Sequence, residues 1–259
     1  MAQLTMASET ATAVIDMEAG CRLASLQVYG HELLVTEGPG PIHWGSYPMA
    51  PWAGRLRRGR FEYEAVAHAM PANLGAHALH GTVFTQPWEP EDQGVFVTRL
   101  TPPWPFPGLV RQRVELHQDR ISLTLEVHSD EPMPAACGWH PWFRRRLGGV
   151  EGSIEFDAGY MELRDDAGIP GGRRVIPPPG PWDDCFGDLS GPPVIRWPGI
   201  LSLEIDSSCD YVVVFDEQPG AFCVEPQTAP PNSLNHAPHT VYPGEPLVAT
   251  TSWSWKQDG

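Results

Sequence analysis

Five short stretches collect the side chains that can move protons or hold polar ligands. They are "PWAGRLRRGRF" around Arg55, "HALHG" around His80, "CGWHPWF" around His140, "WDDCF" around Asp183 and "CVEPQT" around Glu225. Each sets one or two ionisable groups among aromatic or small apolar residues and proline. Aromatic faces beside a few directed polar groups suit a sugar, whose ring offers apolar C–H faces for stacking and hydroxyls that need aligned hydrogen bonds. The stretch Phe222 to Asn235, "FCVEPQTAPPNSLN", is the stiffest of the five. Pro226 follows Glu225 directly and biases it to extended backbone, so a single carboxylate is fixed at the end of an apolar strand.

Other chemistries lack their signatures. The chain has no G-x-x-x-x-G-K-[ST], no G-x-G-x-x-G after a strand, no H-E-x-x-H and no G-x-S-x-G. His77 and His80, or His236 and His239, have spacings a metal can use, but no third ligand pairs with either, so neither metal nor cofactor is expected. Plainer readings stand beside the functional ones. His140 before Pro141 fits a capped loop, and His80 before Gly81 fits a turn. Arg57, Arg58 and Arg60 fit a solvated strand edge. Arg144, Arg145 and Arg146 read as surface, with a phosphate-binding role left open.

The elements that must carry these groups are strands. In "ISLTLEVHS", Ile121, Leu123, Leu125 and Val127 alternate with polar residues, the pattern of a half-buried antiparallel strand. "CRLASLQVYGHELLV" reads as two strands around a Tyr29-Gly30-His31 turn. "YVVVFD" suits a strand buried on both faces, and "LVATTSWSWK" alternates again with Trp253 and Trp255. With 29 Pro and 26 Gly, few uninterrupted helices are expected. The expectation is a single all-β domain over residues 1–259, a large antiparallel sandwich of many short strands. Gly168 to Pro181, "GIPGGRRVIPPPGP", is the most loop-like stretch.

Composition narrows the partners. A net charge of −15 leaves no surplus of positive charge to neutralise phosphates, which argues against nucleic acid and anionic membranes. Five scattered cysteines with no C-x-x-C pair suggest a reducing compartment and no disulfide framework. The first residues lack a basic and then apolar leader, and no apolar run approaches the roughly 20 residues of a membrane helix. A cytoplasmic protein acting on a small molecule, as monomer or homodimer, is expected.

Taken in order, the motifs resemble the aldose 1-epimerase (mutarotase) family, with its galactose-mutarotase-like fold. The resemblance runs from about Trp44 to Trp255. It rests on "LHG" at Leu79–Gly81, "GWHPWF" at Gly138–Phe143, "DDCF" at Asp183–Phe186, "CVEPQTAPPNSLN" at Cys223–Asn235 and the closing "YPGEPL". It implies a cofactor-independent isomerase that interconverts the anomers of an aldohexose or related sugar. Glu225 would take the proton of the anomeric hydroxyl and His140 would protonate the ring oxygen. Arg55, His80, Asp183 and Trp139 would bind the substrate. The family's D-H-x-F pattern has Asp184 in place of its histidine here, which leaves Asp183 and Asp184 as alternatives. Where many members carry Asn before the arginine, this chain has Gly54. On this reading Glu225 is held stiffly because a general base must stay within hydrogen-bond reach of its proton, and its aromatic surroundings would raise its pKa. Two further readings remain: the same chemistry on a hexose 6-phosphate, and a sugar-binding protein of this fold without turnover.

Overall fold

The computed structural model describes residues 3–258. Strands make up nearly all of its regular structure, and the single α-helix, Ser233–His236, is one turn long. The alternating segments fold as their period dictates. Ile121, Leu123, Leu125 and Val127 point inward from the Arg120–Ser129 strand, and Trp253 and Trp255 do so from Leu247–Gln257. Arg22–Val28 turns through Tyr29 and Gly30, both with positive φ, into His31–Glu32. Among the described residues no helix is long and apolar enough to cross a membrane.

Two large antiparallel sheets carry the architecture. The first has twelve strands, in the order Gln3–Ala7, Ala11–Asp16, Arg22–Val28, Ser46–Met49, Gly138–Pro141, Ala221–Gln227, Tyr211–Phe215, Asp183–Leu189, Ala158–Arg164 and Pro170–Val175, with two short strands paired at its side. The second has eight strands and includes Gly108–Leu116, Arg120–Ser129, Leu247–Gln257 and Leu201–Ser207. One face of the larger sheet supplies Leu26, Trp139, Phe186, Val212, Val214 and Val224 to the main core, which they share with Val110, Leu123, Leu203 and Trp253 of the smaller sheet. Because side chains alternate, the other face of the same strands carries a separate apolar cluster of Tyr47, Met49, Trp142 and Cys223. That second face forms the floor of a cleft.

The stretch Gly168 to Pro181 is less loop-like than its composition suggests. Pro170–Val175 pairs with Ala158–Arg164 as the edge strand of the large sheet. Pro170 opens that strand, where no ladder bond from its nitrogen is needed.

Candidate active site

Strand register places the ionisable residues. Gly138 pairs with Gln227, and Phe143 pairs with Phe222. Between these two points no ladder pairing joins the strands, but the register is the same at both ends, so His140 faces Glu225 across the gap. Their side chains meet there, with His140 Nε2 3.2 Å from Glu225 Oε1. Continuing outward, Tyr47 pairs with His140 on one side and Val213 with Glu225 on the other. Val213 pairs with Cys185, and the next register step sets Glu162 beside Cys185. The row two residues along holds Trp142, Cys223, Phe215, Asp183 and, in the same register, Arg164. Glu225 itself lies two residues inside the Ala221–Gln227 strand, which ends at Gln227.

The two rows floor a cleft of about 180 Å³, walled by Arg55, His80, Leu79, Gly168 and Pro231. Of the residues expected from sequence, Arg55, His80, His140, Asp183 and Glu225 all line it, and Asp184 lines it as well. Trp139 does not. It is buried in the inter-sheet core, and its indole N–H donates to Gln112 Oε1 at 2.9 Å. Trp139 and His140 are consecutive on a strand, so only one of them can face the cleft. The aromatic residue on the cleft face is Trp142, stacked on the His140 ring at 5.3 Å and tethered by its indole N–H to the Ile42 carbonyl. Phe215 stands edge-on to Trp142 at 5.8 Å, which makes an apolar wall beside the polar floor.

Each polar group has a defined electrostatic setting. Burial pushes the Glu225 carboxyl well above the usual carboxylate range; the nearby Asp183 charge adds to this and Arg55 opposes it. Burial likewise lowers His140 to about 3, since its ring is enclosed by Tyr47 and Trp142. Both groups are thereby driven toward their uncharged forms, and the pair retains a single proton between two acceptors. His80 is also pushed well down by burial. Gly54 N–H donates to His80 Nδ1 at 3.3 Å. The neutral ring therefore carries its hydrogen on Nε2, an assignment made from that hydrogen bond. The motif around His80 has a backbone reason: a β-carbon at Gly81 would overlap the Ala50 carbonyl oxygen.

Asp183 is held by two arginines. Arg55 reaches its Oδ2 at 2.9 Å and Arg164 reaches the same oxygen at 3.0 Å. Arg164 also contacts Asp184 Oδ1 at 2.8 Å, so one guanidinium spans both aspartates. Arg55 donates in addition to the Gly168 carbonyl, which closes the cleft on that side. Sequence reasoning did not single out Glu162 or Arg164. "YMELRDD" carries no motif, and only pairing across four strands brings it to the site.

The arginine triplet is placed elsewhere. Arg144 donates to the Leu34 carbonyl, and Arg145 donates to the carbonyls of Asp216, Gln218 and Ala221 while lying over the Phe222 ring. Only Arg146 sits in an exposed pair, with Glu151. The triplet is partly exposed, as expected of surface residues, and the first two arginines in addition staple backbone. Neither histidine pair suggested by spacing gathers a metal-type set. Among the described residues the one such group is His140, Cys223 and Glu225, whose ligand atoms lie within 4.8 Å of one another. Burial pushes the Cys223 thiol well up, away from the thiolate that binds metals.

The aldose 1-epimerase family profile matches residues 2–183. The chain belongs to the aldose 1-epimerase family. Among solved structures, a candidate aldose 1-epimerase of Escherichia coli K12 superposes with a TM-score of 0.85 at 18% identity, covering 99% of each chain. The galactose 1-epimerase of Lactobacillus acidophilus NCFM gives 0.83 at 16% identity, over 99% of this chain and 95% of that one. An aldose epimerase homologue from C. elegans gives 0.82 at 16% identity, over 99% of each. At these identities the likeness is one of fold, and the fold is that of the galactose-mutarotase-like proteins. A search of curated protein sequences returned no match. Membership of this family implies binding of a small-molecule sugar.

Proposed function

We propose that the protein is a mutarotase that interconverts the α and β anomers of a free aldose, with Glu225 as base and His140 as acid. The observation that carries this reading is the 3.2 Å approach of His140 Nε2 to Glu225 Oε1 on the cleft floor. Mutarotation removes the proton of O1 and protonates the ring oxygen, and both oxygens are bonded to the same carbon. Base and acid must therefore stand side by side, as these two do.

Proton accounting supports the assignment. The reactive form is the Glu225 carboxylate beside the His140 imidazolium. As Glu225 takes the O1 proton, His140 gives its Nε2 proton to the ring oxygen, the bond from C1 to the ring oxygen breaks, and an aldehyde forms. Rotation about the C1–C2 bond and closure on the other face complete the turnover. Ring opening thus converts an ion pair into a neutral pair, the form that burial favours at both residues. Each proton transfer typically contributes 10²–10⁴-fold. His80 Nε2–H and the fixed Asp183 are suited to hold hydroxyls, and Trp142 and Phe215 to pack against C–H faces.

A hexose 6-phosphate is a poorer fit. The charges of Arg55 and Arg164 are both set against Asp183, with Arg164 keeping only Nη2 unbonded, and the triplet at 144–146 lies outside the cleft lining. Polarimetry of freshly dissolved α-glucose, α-galactose and their 6-phosphates tests the proposal. Acceleration of a neutral sugar is expected, and its absence across the neutral panel would overturn the reading.

A further inference from the structure

Glu162 is a buried carboxylate on the cleft floor that the proton chemistry does not use. It lies in the same cross-strand row as His140 and Glu225, three strands beyond Glu225. At the usual strand spacing that is about 14 Å between backbones, of the order of one pyranose ring with a hydrogen bond at each end. Arg174 donates from Nε to Glu162 Oε1 at 3.0 Å, which fixes the carboxylate but occupies only one oxygen. Glu162 Oε2 has no hydrogen-bond partner among the described residues.

Arg164 lies two residues further along the strand and so on the same face. Its Nη1 and Nε are taken by Asp183 and Asp184, while Nη2 has no partner among the described residues. One unspent acceptor and one unspent donor are therefore carried two residues apart on one strand, both lining the cleft three strands from Glu225. A pair of that kind matches two neighbouring hydroxyls, one donating to the carboxylate and one accepting from the guanidinium.

We propose that Glu162 and Arg164 form a specificity-determining subsite that reads adjacent hydroxyls of the sugar at the end remote from its anomeric carbon. This rests on the mutarotase reading only for which end of the sugar faces His140 and Glu225. Binding, measured without turnover, therefore separates the two claims. Isothermal titration with glucose, galactose and mannose first identifies the tightest aldohexose, and its 3-, 4- and 6-deoxy forms are then titrated.

The wild type should bind at least one deoxy form 10- to 100-fold more weakly, the effect of a lost charge-assisted hydrogen bond. Glu162→Gln should weaken the parent sugar about tenfold or more, discriminate that deoxy form much less, and leave kcat at saturating sugar within a few-fold. Should Glu162→Gln not fold, Glu162→Asp keeps the charge for Arg174 and is expected to show the same loss of discrimination. Equal binding of all three deoxy forms by the wild type overturns the subsite, with no variant needed. So does full discrimination retained in the Glu162 variant, or a kcat loss with unchanged affinity. If the subsite results hold while polarimetry shows no turnover, the subsite stands and the mutarotase reading alone falls.

Discussion

Gly54 lies against the ring of Pro231: a β-carbon at Gly54 would come within 2.7 Å of both Cβ and Cγ of that proline. The contact joins the segment that carries Arg55 to the turn that follows Glu225, so two of the cleft's motifs are locked edge to edge. It also accounts for glycine where many family members place asparagine, since any side chain here meets Pro231. With φ at +69°, the backbone adds a conformational reason.

Gly54→Ala should therefore cost about 1–3 kcal/mol of stability, in the range of overpacked sites. Arg55 follows directly and would shift with it, so KM for the best sugar should rise several-fold while kcat changes less. Chemical denaturation and steady-state polarimetry read the two effects. An alanine variant as stable as the wild type would show that Pro231 yields freely.

Glu225→Gln keeps size and most hydrogen bonding but accepts no proton, and His140→Asn supplies none. Each should lower turnover by roughly 10²–10⁴ while sugar affinity falls far less. The double variant should be less impaired than the product of the two losses, because both groups act in one opening step. Near wild-type turnover in Glu225→Gln would remove this residue from the base role.

Stability should depend on pH in a way set by the same pair. Unfolded, Glu and His titrate near about 4.3 and 6.5. Folded, the carboxyl is raised and the imidazole lowered to about 3, so the pair holds one proton over a wide range. Between about pH 4.3 and 6.5 the unfolded chain also holds one proton on these groups, and the pair contributes no slope. Below that window the unfolded state binds the extra proton, so stability falls as pH drops toward 3. Above it the folded state binds the extra proton, so stability falls as pH rises, until the carboxyl itself ionises. Each limb amounts to about 1.4 kcal/mol per pH unit at most. Denaturant midpoints across pH should show these limbs flattened in the Glu225→Gln, His140→Asn double variant, and unchanged limbs there would place the titrations elsewhere.

Activity should survive EDTA, because every role assigned above belongs to a protein acid, base or hydrogen-bond group. Cys223→Ala, which removes the third member of the His140, Cys223 and Glu225 group, should retain activity within a few-fold. Loss of activity in EDTA that one divalent ion restores would replace the proposed mechanism.

Arg145→Gln should destabilise the protein without changing its preference between a sugar and its 6-phosphate. The guanidinium holds three backbone carbonyls and the Phe222 face, and Arg145 itself does not line the cleft. A selective loss on the phosphorylated sugar would instead show that this arginine reaches the substrate.

Much of the fold is legible in the sequence because period-two alternation is a local property. Ile121 to Val127 and the Trp253, Trp255 pair need only their neighbours to declare a strand and its buried face. The site is legible where a motif concentrates it, as at His80, His140 and Glu225. It is hidden where long-range register creates it. Glu162 and Arg164 reach the cleft only because four strands align in one register, which no local window contains. The error at Trp139 is of another kind. Alternation already puts His140 and Trp142 on one face and Trp139 on the other, so the information was present in the spacing. The edge strand at Pro170–Val175 was obscured by its glycines and prolines, whose turn signal outweighs the short "RRV" that pairs.

The alternation at Trp139 and His140 has a bearing on how the chain can be altered by insertion or deletion. Losing Trp139, the one residue between Gly138 and His140, would turn the imidazole into the hydrocarbon interior and bring Pro141 to the position that faces Glu225. The packing between the sheets and the proton chemistry would fail together, in one step. Length changes in this protein should therefore be tolerated in the exposed turns that join strands, such as Gly148–Gly149, and purged from the strands that cross beneath the sugar. A library of single-codon deletions sorted on solubility alone should recover the same forbidden segments as one sorted on turnover.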